Sequence, residues 1–202
     1  MGEQKSFDYR GCLVTIALVA INCIIYIYCT YAGDVVYNIG CMDAERVLLD
    51  GEYYRFFTCM FMHGGIDHIV SNMIFLAALG EMLERVIGHV RFAVLYLLSG
   101  VGGSFFSIAH VVLSGSYHTA IGASGAVFGL IGAMVILVVI HNGHYEGISI
   151  KRMLFAIAYM VYDGMRSENV DNAAHIGGLI FGVLIMAVMY VIETHKPRKR
   201  DD

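Results

Sequence analysis

An uncharged apolar run is the feature that most limits how this chain can fold. From Ala126 to Ile140 there is no charged residue, and the run follows directly on Gly122-Ala123-Ser124-Gly125. Such a segment is long enough to cross the hydrocarbon core of a bilayer. Of the 202 residues, 58% are hydrophobic and only 15% are charged, whereas soluble domains are about a quarter charged. The sequence therefore predicts an all-α integral membrane protein.

Similar apolar segments recur along the chain and together predict six membrane-spanning helices. Their expected bounds are 11–32, 66–83, 92–113, 122–140, 148–162 and 172–192. We expect one domain over residues 11–193, between a short N-terminal segment (1–10) and a basic tail (194–202). The first apolar run is too long for the core of a signal peptide, so no cleaved leader is expected. The long apolar connection 33–65 is expected to fold at the membrane interface.

Lysine and arginine are distributed unevenly between the two ends of these helices. With six spans, both termini lie on one side, and ten of the thirteen Lys and Arg residues fall there. Loops rich in these residues stay in the cytoplasm, so we expect cytoplasmic termini. The second, fourth and sixth spans then all begin at the outer face.

The beginnings of these three helices carry polar residues that are unusual inside a membrane. His68 and Asn72 lie in the first turns of the second span, Ser124 lies in the first turn or two of the fourth, and His175 lies in the first turn of the sixth. With a rise of about 1.5 Å per residue, all four share one shallow layer. Ionisable side chains within spans are functional candidates. The alternative for Ser124 is a helix-packing face made of small residues.

These residue types suit acyl transfer. A serine hydroxyl becomes a good nucleophile when a base accepts its proton, and His175 is the candidate base. His68 and Asn72 are four residues apart on one helix face, and both offer donors to a developing oxyanion. Small residues at four-residue spacing would let the fourth and sixth helices approach closely. They are Gly125, Gly129 and Ala133 on one helix and Ala174, Gly178 and Gly182 on the other.

Three motifs in this order resemble the rhomboid family of intramembrane serine proteases. They are His63-x4-His68-x3-Asn72, Gly122-Ala-Ser-Gly125 and Ala174-His175-x2-Gly178-x3-Gly182. The resemblance covers residues 50–190 and implies a six-transmembrane-helix rhomboid-like bundle with an interfacial first outer loop. It also implies that a Ser124–His175 dyad hydrolyses peptide bonds in or near transmembrane segments through an acyl-enzyme.

The resemblance further implies roles for the residues around the dyad. His68, Asn72 and the backbone N–H of Ser124 would form the oxyanion site, and His63 would be an auxiliary residue near the water-access side. Phe128 would pack on the catalytic histidine, at a position where the family usually has an aromatic residue, often Tyr. The small residues beside the hydroxyl would leave room for the substrate; they are Gly122, Ala123 and Gly125.

Two structural residues and a gate are implied in the same way. Glu52-x-Tyr54-Arg55 resembles the acidic-x-Trp-Arg signature of the first outer loop, with Tyr in place of Trp. Arg55 would hold that loop, and Glu84 would tie helices together by hydrogen bonds. The fifth span, with Tyr159, Tyr162 and the loop 163–170, would be the gate for substrates.

The resemblance implies single-pass transmembrane proteins as substrates, the lipid bilayer as surroundings, and neither a cofactor, a metal ion nor a nucleic-acid partner. A bacterial plasma membrane location, with the active site opening to the outer face, is implied by analogy. The five cysteines show no Cys-x-x-Cys spacing. The sequence leaves open whether Cys41 and Cys59 pair, the oligomeric state and the scissile bond.

Other classes fit the residues less well. A zinc-dependent intramembrane protease needs His-Glu-x-x-His and an aspartyl type needs a Gly-x-Gly-Asp partner, and the sequence has neither. A transporter is favoured by inverted repeats, which the two halves do not show. The alternative that remains is a catalytically silent rhomboid-like protein that binds membrane clients, although such relatives typically lack the serine or the histidine.

Overall fold

The computed structural model describes residues 12–166 and 170–195. The predicted N-terminal segment 1–10, residues 167–169 of the predicted gate loop and residues 196–202 of the basic tail lie outside this range. The helices along the described chain are α1 (Leu13–Ala32), α2 (Asp34–Gly40), α3 (Ala44–Leu49), α4 (Arg55–Thr58), α5 (Ile66–Ile87), α6 (His89–Ser114), α7 (Ser124–Ile140), α8 (Ile150–Arg166) and α9 (Asn172–Thr194). The strands are β1 (Met42–Asp43), β2 (Thr119–Ala120), β3 (His144–Tyr145) and β4 (Ile148–Ser149).

Six long helices follow the order of the six predicted apolar segments. Within the described residues, α1, α5, α6 and α9 are long and apolar enough to cross a membrane. The apolar helix α7 is shorter, with 17 residues, and α8 has the same length. The prediction of a helical membrane protein is confirmed.

A buried carboxylate explains why α5 runs to Ile87, a turn beyond its predicted end. Glu84 accepts hydrogen bonds from the backbone N–H groups of Val14 (2.8 Å) and Thr15 (2.7 Å) and from the Thr15 hydroxyl (2.6 Å). The first N–H groups of a helix have no hydrogen-bond partner inside the helix. Glu84 supplies that partner at the start of α1 and so ties α1 to α5. Gly88, with φ of 81°, then turns the chain directly into α6.

Helix α7 is the centre of the bundle. Twelve of its 17 residues are buried, and α5, α6 and α9 pack around it. The closest approach is to α9. A Cβ atom added to Gly178 would overlap the carbonyl oxygen of Gly125, and one added to Gly182 would overlap that of Gly129. The two small-residue faces therefore pack backbone against backbone.

The connection after α1 is folded around one buried arginine. Arg55, 1% exposed, donates from Nη1 to the carbonyl oxygens of Asn38 (3.0 Å) and Cys41 (2.7 Å). Its Nε donates to Glu52 at 2.6 Å, and this hydrogen bond lowers the pKa of the Glu52 carboxyl. The Tyr54 ring, at the position of the family Trp, lies 5.6 Å from the guanidinium carbon.

Two short strand pairs were not predicted. Met42 pairs with Ala120 and Asp43 with Thr119. This pairing joins the connection between α1 and α5 (residues 33–65, here called the outer connection) to the segment just before α7. Strands β3 and β4 form a hairpin between α7 and α8. Both pairs are only two residues long, too short for an alternating pattern to reveal. The cysteines Cys41 and Cys59, whose pairing the sequence left open, are free thiols in this structure.

The contact between α7 and α9 predicts the effect of adding one methyl group. Gly178→Ala places a Cβ against the carbonyl of Gly125, so the helices must separate. Overpacking of this kind costs typically about 1–3 kcal/mol, and we expect a lower thermal midpoint in detergent. The control is Gly65→Ala, because Gly65 has extended backbone and no atom within 4 Å of an added Cβ. Equal midpoints for the two variants would contradict the packing described here.

Candidate active site

Ser124 is the first residue of α7, and a glycine turn leads the chain into it. Gly122 has φ of 132°, a conformation that residues with a side chain rarely adopt. The Gly122 N–H donates to the carbonyl oxygen of Cys59 at 2.9 Å, and the Ala123 N–H points to Nε2 of His63 at 3.5 Å. The turn that presents the serine is therefore fixed to the segment preceding α5.

His68 and Asn72 lie beside this turn. A Cβ added to Gly122 would lie 2.8 Å from Cε1 and Nε2 of His68 and 3.6 Å from the Ser124 hydroxyl oxygen, so the glycine makes room for the imidazole. Asn72 lies one helical turn further along α5, is 4% exposed, and donates from Nδ2 to the carbonyl oxygen of His68 at 2.8 Å. Because an amide group has two N–H donors, a second one remains for a ligand.

His175, the fourth residue of α9, packs on α7 next to the serine. Its ring is stacked on Phe128 with the centroids 4.2 Å apart and the planes 11° from parallel. Phe128 follows Ser124 by four residues, so the two side chains share one face of α7. The carbonyl oxygen of Ala174 would lie 3.5 Å from a Cβ on Gly125, which shows how closely the start of α9 approaches this turn. Stacking on Phe128 therefore holds the imidazole beside the face that carries the hydroxyl.

The four polar side chains face one cavity. It has a volume of about 1560 Å³ and is lined by His68, Asn72, Ser124 and His175 together with parts of α6 and α8. It lies at the end of the bundle where α5, α7 and α9 begin. The structure thus brings together, from three different helices, the four residues that the sequence predicted as nucleophile, base and oxyanion donors.

His63, expected near the water-access side, is buried beside His68. Its side chain is 0% exposed, and its ring packs edge-on against that of His68 at 5.1 Å between centroids. The Tyr37 hydroxyl donates to the His63 carbonyl oxygen at 2.7 Å, so the outer connection covers this segment. Burial and the neighbouring His68 lower the pKa of His63 to about 4, and the ring is therefore neutral at physiological pH.

Two further residues of the cavity wall were not singled out from the sequence. Asp171 caps α9, because its Oδ1 accepts a hydrogen bond from the Ala174 N–H at 2.9 Å. His118, from the segment between α6 and α7, places Nε2 at 3.4 Å from Oδ2 of Asp171. An aspartate before an apolar helix is a recognisable capping signal, but no sequence pattern connects it with a histidine 53 residues away.

The chemical groups in the cavity define the kind of site. In the described part of the chain, no three His, Cys, Asp or Glu side chains are grouped so as to hold a metal ion. The cavity instead offers a hydroxyl, an imidazole and amide or imidazole donors. These features define a class of polytopic helical membrane proteins with a serine–histidine site at one end of the bundle.

Comparison with known proteins identifies the family. Residues 50–192 match the family model described as the Rhomboid domain, and the chain belongs to the rhomboid family. The resemblance noted in the sequence is thereby confirmed.

Relatives in plants and bacteria support the assignment. RHOMBOID-like protein 1 of Arabidopsis thaliana is 36% identical over 76% of this chain and 39% of its own length. Rhomboid protease GluP of Bacillus subtilis is 32% identical over 72% of this chain and 28% of its own length. Rhomboid protease AarA of Providencia stuartii is 30% identical over 97% of this chain and 79% of its own length. The chain thus spans less than half the length of the plant relative and most of the length of AarA.

The burial of His63 predicts a pH dependence of stability. Its pKa in the folded protein is about 4, below the ordinary value of 6.5, so between these pH values the unfolded chain binds a proton that the folded chain does not. Burial of the neutral His63 ring therefore stabilises the folded protein fully above pH 6.5, and this stabilisation is lost as the pH falls through 4. The free energy of unfolding decreases by at most about 3 kcal/mol over this range. Thermal midpoints in detergent should fall less steeply over this range in His63→Gln than in the unaltered protein.

The control for this experiment is His144→Gln, which changes an exposed histidine of β3. We expect it to keep the slope of the unaltered protein. Identical slopes for His63→Gln and His144→Gln would show that His63 does not contribute to the acid sensitivity.

Proposed function

We propose that this protein is an intramembrane serine endopeptidase that hydrolyses peptide bonds in or near transmembrane segments of membrane-anchored proteins. The observation that carries the proposal is the stacking of His175 on Phe128, one turn from Ser124, in a cavity that also contains His68 and Asn72. The names of GluP and AarA, both rhomboid proteases, support the same activity.

In the first half-reaction the Ser124 Oγ attacks the carbonyl carbon of the scissile bond. As the Oγ–C bond forms, the hydroxyl proton passes to His175, and the π electrons move to the carbonyl oxygen. Donors placed where negative charge develops stabilise it without reorganisation. Here these donors are the Asn72 amide, the His68 ring and the Ser124 N–H. The tetrahedral intermediate then collapses, the C–N bond breaks, and His175 returns the proton to the leaving amine.

In the second half-reaction water hydrolyses the resulting ester. His175 accepts a proton from the attacking water, the same donors hold the second oxyanion, and the C–Oγ bond breaks. The proton then returns from His175 to the Ser124 oxygen, which restores the enzyme and releases the new carboxylate. The polar cavity supplies a path for the water that this step requires.

The membrane arrangement is part of the proposal. α1, α5, α6, α7, α8 and α9 form six spans, with both termini in the cytoplasm and the cavity opening at the outer face of a bacterial plasma membrane. The side bearing ten of the thirteen Lys and Arg residues is then the cytoplasmic side, as the positive-inside rule requires. The β3–β4 hairpin lies on that side, roughly 25 Å from Ser124 along the length of α7.

The preferred substrates are single-pass proteins whose span unwinds near its outer end. A transmembrane helix has its carbonyl groups occupied by internal hydrogen bonds, so the scissile bond must leave the helix before it is attacked. We infer that substrates enter past α8, because Tyr159 and Met160 of α8 line the cavity. Most of the side chains described on α8 are exposed, consistent with a helix that can move away from the bundle.

Removal of the nucleophile tests the proposed activity. Ser124→Ala should abolish cleavage of a single-pass reporter protein in liposomes and should also abolish labelling by a fluorophosphonate probe, while the thermal midpoint stays the same. Ser149→Ala is the matched control, because Ser149 lies in the hairpin at the opposite end of α7 and should leave both signals intact. If the Ser124→Ala variant still cleaves the reporter, Ser124 is not the nucleophile and the proposed dyad is wrong. Binding of the reporter without cleavage by the unaltered protein would support the client-binding alternative.

The oxyanion role of Asn72 predicts a separate kinetic effect. Removing one such donor lowers kcat by roughly 10²–10³-fold in a well-studied serine protease, so we expect Asn72→Ala to reduce kcat by about 10²-fold with little change in KM. Ser71→Ala, at the neighbouring exposed position on α5, is the control. An unchanged kcat in the Asn72→Ala variant would exclude the Asn72 amide as an oxyanion donor.

A further inference from the structure

We propose that Asp171 is a positioning residue for the Ser124–His175 dyad: its carboxylate, held in place by His118, provides the fixed negative charge that the dyad itself lacks. The inference rests on the proposed proteolytic function and deepens it. It concerns a residue that touches neither the scissile bond nor the nucleophile and acts through His175.

The carboxylate of Asp171 is oriented by two separate elements. Oδ1 accepts the Ala174 N–H of α9 at 2.9 Å, and Oδ2 lies 3.4 Å from Nε2 of His118. The Asp171 side chain is only 12% exposed. Its backbone carbonyl accepts the N–H of His175 at 3.2 Å, so the carboxylate and the imidazole belong to the same first turn of α9. Both residues line the cavity.

The segment that carries His118 is itself held in place. Thr119 and Ala120 pair with β1 in the outer connection, and the His118 ring lies 6.1 Å from that of His110 on α6. His118 is therefore not a free surface residue but part of a fixed wall, with its side chain 34% exposed. This wall holds the Asp171 carboxylate from the side opposite to α9.

A fixed carboxylate in this position favours the charge that the reaction creates. When Ser124 gives up its proton, the His175 ring becomes positively charged in a partly buried cavity, where charges interact more strongly than in water. A preorganised negative charge stabilises that state without rearranging. The effect is absent in the ground state, in which the ring is neutral, so it should appear in kcat and not in KM.

The choice of variants separates this charge from the capping role of the same residue. Asparagine caps helices about as well as aspartate, so Asp171→Asn keeps the cap and removes the charge, whereas Asp171→Ala removes both. The control is Asp34→Asn, because Asp34 is an exposed carboxylate in the first turn of α2, outside the cavity lining. His118→Gln removes the second support of the Asp171 carboxylate without altering the cap.

The experiment measures kcat, KM and thermal midpoint for the full chain in liposomes with the single-pass reporter. We expect Asp171→Asn to lower kcat about tenfold, which corresponds to 1.36 kcal/mol, with KM and midpoint unchanged. Asp34→Asn should match the unaltered protein. His118→Gln should reproduce part of the loss, and the double variant should be no slower than Asp171→Asn alone, because both changes act on one interaction.

Two results would overturn the inference, and they are distinguishable. If the unaltered protein cleaves the reporter and Asp171→Asn keeps its full kcat, Asp171 is only a helix cap, and the proposed protease function stands. If the folded, unaltered protein neither cleaves the reporter nor reacts with a fluorophosphonate, the protease function fails and this role fails with it.

Discussion

Everything at the candidate site depends on the close packing of α7 against α9. In a bilayer no hydrophobic force drives two helices together, so small residues that let backbones touch provide the attraction. Gly178 and Gly182 lie directly against the carbonyl groups of Gly125 and Gly129. Ser124 begins one of these helices and His175 lies in the first turn of the other. A shift of about 1 Å at a reacting pair can lower a rate by about 10²-fold, so the glycines that hold the helices would also determine the geometry of the proposed dyad.

The sequence was sufficient to predict those parts of the fold that depend on pattern and spacing. Apolar segments predicted the six long helices in order, and four-residue spacing predicted the two small-residue faces. Pattern and spacing do not predict the contacts of Glu84 or the burial of His63, because the residues that contact them are distant in the sequence. The family resemblance implied that Glu84 ties helices together, but its partners at the start of α1, which let α5 continue past it, are seen only in the structure. His63 looks like a loop residue, but the outer connection covers it completely. No pattern of neighbouring residues in the sequence indicates the partners of Glu84 or the burial of His63.

Polar groups inside the bundle fall into two kinds. Arg55 and Glu84 are buried with several hydrogen bonds each, and they hold elements together. Nδ1 of His63 and Nδ1 of His175 are buried without a protein hydrogen-bond partner in the described residues, as are a few other polar atoms, among them the Tyr96 hydroxyl and the Ser99 Oγ on α6. A buried unsatisfied group costs roughly 1–3 kcal/mol, and such groups persist where function requires them. The two histidine atoms lie on either side of the Ser124 turn, at the end of the bundle that carries the proposed site.

The length of α7 connects the fold to the chemistry proposed here. Its 17 residues extend about 25 Å, whereas the hydrocarbon core is about 30 Å thick. In the proposed arrangement, a helix that ends at the inner surface therefore begins several ångströms below the outer one. Because Ser124 is the first residue of α7, it lies within the membrane and yet faces a cavity that is open at the end of the bundle. A short central helix thus gives the serine access both to a substrate span and to water.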